Sequence, residues 1–176
     1  MGNADYFSLH TAQVLGIPTD TVWAQVYTLD KLNLLIVLEK KDPSVAGQTE
    51  TEDIDLKTVG KQVFLRFQKQ FEKDEKKNLA SLRLLLEKLL AETTQVDVVT
   101  LAAAMTSGKG LYIASFNGEV FIRRGTHIQS IMKSGPDKLA SASGFLEDGD
   151  IVILINRTLA DAISVNVKEI VSSGDL

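Results

Sequence analysis

Two adjacent apolar segments, Thr21–Leu29 and Leu32–Leu38, are separated only by Asp30-Lys31, and they constrain this chain more than anything else in it. In the first, TVWAQVYTL, the residues Val22, Ala24, Val26 and Thr28 fall on one face and Trp23, Gln25, Tyr27 and Leu29 on the other. That alternation, with its aromatic and β-branched content, predicts a strand. The second, LNLLIVL, is almost continuously apolar, which predicts a strand buried on both faces. So short a break between them predicts a hairpin.

The rest of the chain supplies two helices and more strands. Lys40–Thr58 is polar, holds Pro43 and Gly47, and reads as a loop with helical onset near Asp55. Val59, Val63, Phe67 and Phe71 recur every four residues with Phe64 beside them, the stripe of an amphipathic helix. Lys73–Lys77 (KDEKK) reads as a solvated helix end and turn, and Asn78 as the N-cap of a second helix striped by Leu79, Leu82, Leu86 and Leu89. Asp97–Thr106 reads as a strand whose small residues let a covering helix approach closely. Leu111–Phe116, Glu119–Arg124 and Thr126–Met132 follow as strands, with Asn117-Gly118 as a hairpin signal, so that four strands form an antiparallel meander. Ser134–Asp150 reads as a loop, Ile151–Ile155 as the strongest strand, and Thr158–Val171 as a terminal helix capped near Asn156 or Thr158. Two central helices with most strands after them make the class α+β rather than doubly wound.

Composition narrows the chemistry. The 176 residues suit one core, read as an N-terminal extension (1–20), a single domain (21–171) and a C-terminal tail (172–176), whose abrupt SSGDL ending suggests a domain cut from a longer chain. No cysteine means no disulfide, zinc–thiolate site or thiol nucleophile, and two histidines leave little for a His-rich metal site. A net charge of −4 argues against a nucleic-acid-binding face. No segment reads as a signal peptide or approaches the roughly 20 apolar residues of a membrane helix, so a cytoplasmic setting is expected.

Motifs for nucleotide or acyl chemistry fail. Gly108-Lys109-Gly110 joins two strands and lacks the second half of a P-loop, and no G-x-S-x-G elbow is present. His10 and His127 have no second histidine nearby. Carboxylates are the remaining route to catalysis. Glu50, Glu52, Asp53 and Asp55 share one loop without EF-hand spacing, and Glu147, Asp148 and Asp150 share a turn.

Three strings, with the order of elements, resemble PP2C-type (PPM) serine/threonine phosphatases. Leu111–Arg124 (LYIASFNGEVFIRR) is similar to the family's hairpin around G-D-S-R. Leu146–Asp161 (LEDGDIVILINRTLAD) is similar to L-x-x-G-D-x-L-L-L-C-T-D-G-L-x-D, and Leu34–Lys40 (LLIVLEK) occupies the place of the strand ending in V-x-D-G. The resemblance covers Thr21 to Ser164. It implies an αββα sandwich of two antiparallel sheets flanked by helices, here reduced in size. It also implies a degenerate site. Glu39 and Lys40 stand where the family has its bridging aspartate and following glycine. Arg157 stands at the T-D-G-L aspartate, and Asp161 alone matches that string's last carboxylate.

An arginine in place of a carboxylate reverses a charge in the site, worth several kcal/mol against cation binding at short range. The expectations are therefore a pseudophosphatase that has lost Mn/Mg binding, with Glu39 pairing with Arg157 or Lys40, and a binding or regulatory role toward a protein partner or flanking domain. Lys40, Arg123, Arg124 and Arg157 are expected to make the cleft attract anions, although Arg123 and Arg124 alternate along a strand. Two alternatives stand beside this: a phosphatase whose unusual metal site uses Glu39 with the acids of Glu50–Asp55, and an unrelated α+β interaction domain.

Overall fold

The computed structural model describes residues 10–29, 31–40 and 54–163. Strands β1 (Val22–Leu29) and β2 (Leu32–Glu39) pair antiparallel from Val22↔Glu39 to Leu29↔Leu32, the expected hairpin. Helices α1 (Leu56–Lys73) and α2 (Leu79–Ala91) follow. Six strands come next: β3 (Val98–Ser107), β4 (Gly110–Phe116), β5 (Gly118–Arg124), β6 (His127–Lys133), β7 (Ala140–Phe145) and β8 (Ile151–Asn156). Helix α3 (Arg157–Ile163) closes the described chain. The strands form two antiparallel sheets, ordered β1-β2-β3-β4-β7 and β6-β5-β8.

The layers follow from residue alternation. On one face of the five-stranded sheet Trp23, Leu34, Ile36, Leu38, Leu101, Ala103 and Met105 pack against Val63, Phe67 and Phe71 of α1 and Leu82, Leu86 and Leu89 of α2. The other face turns Leu35, Val37, Ala102, Ala104, Leu111 and Ile113 toward the three-stranded sheet, which offers Val120, Met132 and Leu154. Thus β2 is buried on both faces because it lies between a helical layer and a second sheet. Asp55 caps α1 by accepting the Lys57 N–H, and Asn78 and Ser81 form a reciprocal capping box on α2. Gly60 lets α1 settle on β1, since a Cβ there would overlap the Trp23 ring.

Three expectations need correction. Asn117-Gly118 closes no hairpin, and the four-strand meander does not exist: β4 and β5 lie in different sheets, and the dipeptide is the crossover between them. Asn117 adopts the left-handed φ of 53° that asparagine tolerates, and Gly118 pairs with Asn156 of β8 instead of with β4. The edge of β4 is taken by β7, from Gly110↔Phe145 to Ser115↔Ala140. That strand arises inside Ser134–Asp150, which reads as a loop because ASASGF is small, polar and half-exposed, the composition of an edge strand. The small residues of β3 serve mainly sheet-to-sheet approach: only Ala103 faces the helices, while Ala102 and Ala104 face the second sheet. The terminal helix begins at Arg157, with Asn156 Oδ1 accepting the Leu159 N–H; its expected course beyond Ile163 lies outside the described residues.

Candidate functional site

One end of the sandwich gathers the residues singled out by the three strings. Glu39 ends β2 opposite Val98, the first residue of β3, and the Lys40 N–H donates to the Thr21 carbonyl at 2.9 Å. The crossover then ties β3 to β8. Thr100 Oγ1 donates to the Asn117 carbonyl at 3.1 Å, and the Arg157 N–H donates to the same oxygen at 3.3 Å. The Asn117 amide donates to the Val99 carbonyl at 3.4 Å. Buried hydroxyls complete the knot: the Gly118 N–H donates to Ser134 Oγ at 3.1 Å, and that oxygen lies 2.9 Å from Ser115 Oγ. A Cβ on Gly118 would sit 2.9 Å from the Ile155 carbonyl, so the close passage of these strands requires glycine.

The side chains around this knot are neutralised by one another. Arg157 Nε donates to both oxygens of Asp161, at 2.8 and 2.7 Å. Of the two partners expected for Glu39, Arg157 or Lys40, Arg157 instead engages the i,i+4 carboxylate on its own helix turn. The Arg157 hydrogen bond holds the Asp161 carboxyl below its ordinary range. Glu119, to which the sequence reading assigned no role, is 8% exposed and accepts the Ser130 hydroxyl at 2.7 Å, with Lys133 Nζ at 3.9 Å. A carboxylate one residue before the apolar run Val120–Ile122, on the outward period of the strand, was the available signal.

The anion-attracting cleft does not assemble as expected. Arg157 follows the end of β8 and Lys40 the end of β2, whereas Arg123 pairs with Ile151 at the far end of β5, about 20 Å away for a strand of that length. Arg124 is committed there: Nε and Nη2 fork onto Asp150 at 2.9 and 2.6 Å, and Nη1 donates to Glu147 at 2.7 Å. This fork, on an Asp150 side chain only 2% exposed, pins the turn entering β8 to the end of β5. The separation follows from β5 and β8 being antiparallel, which puts the residue after β8 beside the start of β5.

Among the described residues no three His, Cys, Asp or Glu side chains converge to hold a metal ion. Among the described residues, the donor set near the crossover does not fit a pair of divalent cations, because a guanidinium occupies the position that the string resemblance gives to a ligand and engages the Asp161 carboxylate. Of the acidic loop, Glu50, Glu52 and Asp53 lie outside the described residues. Asp55 is spent on the α1 cap, accepting from the Lys57 N–H and the Thr58 hydroxyl. No helix among the described residues is long and apolar enough to cross a membrane.

Two antiparallel sheets face to face, a helix pair outside the larger one, and a crossover through Gly118 define the architecture. It matches the fold of PP2C-type serine/threonine phosphatases in part, with a helix pair on one sheet only among the described residues. The serine/threonine phosphatase PstP/Ppp of Mycobacterium tuberculosis superposes with a TM-score of 0.58 at 15% identity, over 87% of this chain and 78% of that one. The PstP catalytic domain, solved in complex with two manganese ions, gives 0.60 at 12% identity, over 87% and 77%. The PP2C phosphatase domain of SpoIIE from Bacillus subtilis, with a fragment of its regulatory domain, gives 0.55 at 11% identity, over 88% of this chain and 46% of that one. At these identities the likeness is one of fold. No family model matches the sequence, and no curated protein matches it.

Proposed function

We propose that this chain is a PP2C-like domain that works by binding rather than by catalysis, as a regulatory or interaction module for a protein partner or flanking domain in the cytoplasm. The carrying observation is the Arg157–Asp161 ion pair, at 2.7 Å, in the string where the resemblance calls for a metal-ligating carboxylate. A two-metal hydrolase needs several carboxylates to offset the repulsion of its cations and to hold the water they activate. A fixed guanidinium opposes both requirements. The net charge of −4 favours a protein partner over a nucleic acid.

The test is calorimetric titration with Mn²⁺ and Mg²⁺, together with hydrolysis of p-nitrophenyl phosphate. The expected result is no stoichiometric metal binding and no metal-dependent turnover. Stoichiometric Mn²⁺ binding with hydrolysis abolished by Glu39→Ala would overturn the proposal and favour a phosphatase with an unusual metal site.

A further inference from the structure

The outer side of the helix pair differs in charge from the rest of the molecule. Residues 55–92 carry nine Lys or Arg and six Asp or Glu, net +3 in a chain of net −4, which leaves −7 for the remainder. Along this basic layer runs an open groove of about 450 Å³ between α1 and α2. Its wall is apolar at Leu84 and Leu85, and it is bordered by Lys73, Lys88, Asp74 and Ser81. Leu84 is 52% exposed and Leu65, one helix over, is 62% exposed, although neighbouring positions on both helices are buried in the core. Neither Lys73 nor Lys88 is tied into an ion pair among the described residues.

Asp74 closes one end of the groove. Its Oδ1 accepts the Lys76 N–H at 3.1 Å, and hydrogen bonding from the Ser81 side chain holds its carboxyl below the ordinary range.

We infer that this groove docks an acidic amphipathic helix of a partner protein. This rests on the binding role proposed above and gives that role a surface. Leucine-sized side chains at helical spacing cover Leu84 and Leu85. Acidic residues flanking that stripe meet Lys73 and Lys88. A basic partner would be repelled by the net +3 layer, and a wholly apolar one would leave the lysines desolvated and unpaired.

The test uses fluorescence anisotropy with a labelled helical peptide of roughly 18 residues, leucines at i, i+3 and i+7 and glutamates on both flanks. The control is the same peptide with lysine for glutamate. The glutamate peptide should bind, more weakly as salt is raised, and the lysine peptide should not. The double variant Lys73→Glu/Lys88→Glu should weaken binding by about tenfold, because two exposed attractions become repulsions. Leu84→Ser should weaken it severalfold, and both variants alter exposed side chains, so an unchanged melting temperature verifies folding. Absence of binding, equal binding of both peptides, or indifference to both variants overturns the inference. So does sedimentation equilibrium showing that Leu84→Ser dissolves a dimer, since the occupant would then be a second copy. Metal and turnover assays are indifferent to these variants, so failure here leaves the proposed function to be judged by its own test.

Discussion

In the five-stranded sheet, Leu34, Ile36 and Leu38 of β2 are fully buried against the helices, while Leu35 and Val37 of the same strand are buried against the other sheet. The three-stranded sheet has one such face. Val120 and Met132 are buried inward, but Phe121, Arg123, Ile151 and Ile153, on the outward period, remain half-exposed. The apolar mass that holds the fold together is concentrated in the first layer. Three polar pairings lie along the second: Glu119 with Ser130, Arg124 with Asp150, and Arg157 with Asp161.

The largest effect should come from the first layer. Leu86→Ala empties a site with no solvent exposure between α2 and the sheet and should lower unfolding free energy by about 2–5 kcal/mol in urea denaturation. A cost near that of a surface change would put the two layers on a level. Gly60→Ala follows: its methyl must push Trp23 off α1, costing about 1–3 kcal/mol. Because Trp23 is the single tryptophan, its emission should shift to the red in the same variant.

The smaller sheet should answer to pH instead. Hydrogen bonding from Arg124 holds the Asp150 carboxyl below its ordinary 3.8. A depressed folded-state value means that the stabilisation is present above about 3.8, the unfolded value, and is lost as pH falls through the folded one. Asp150→Asn should therefore lower the thermal midpoint at neutral pH, and the two proteins should converge in strong acid. Parallel curves over the whole range would mean that the fork does not couple folding to protonation. The smallest effect belongs to Arg157→Ala: its pair with Asp161 is solvent-exposed, so the denaturation midpoint should stay within error of the parent.

The hairpin β1–β2, both central helices and their buried stripes were legible because each is written locally, in a period of two or about 3.6 residues. The cap at Asn78 and the helical onset near Asp55 were legible for the same reason. The pair Asn117-Gly118 misled because a dipeptide signals a turn but not which strand the chain meets afterwards. Strand β7 was invisible because an edge strand of Ala, Ser and Gly has no apolar period to read. At the candidate site, the positions Glu39, Lys40, Arg157 and Asp161 could be named from the strings, but their partners could not. Arg157 took the carboxylate four residues on, and Glu119 drew Ser130 and Lys133 from a neighbouring strand.

The sequence by itself determined both central helices, the strands other than β7 and the two-sided burial of β2, since these depend on side chains close together along the chain. Only the tertiary structure decided that β4 and β5 part into different sheets, that Arg123 and Arg124 lie a strand's length from Arg157, and that Leu84, Lys73 and Asp74 share a groove. Those outcomes depend on competition for hydrogen-bonding edges and on which helix faces the sheet leaves uncovered. Both are settled among residues far apart in the chain.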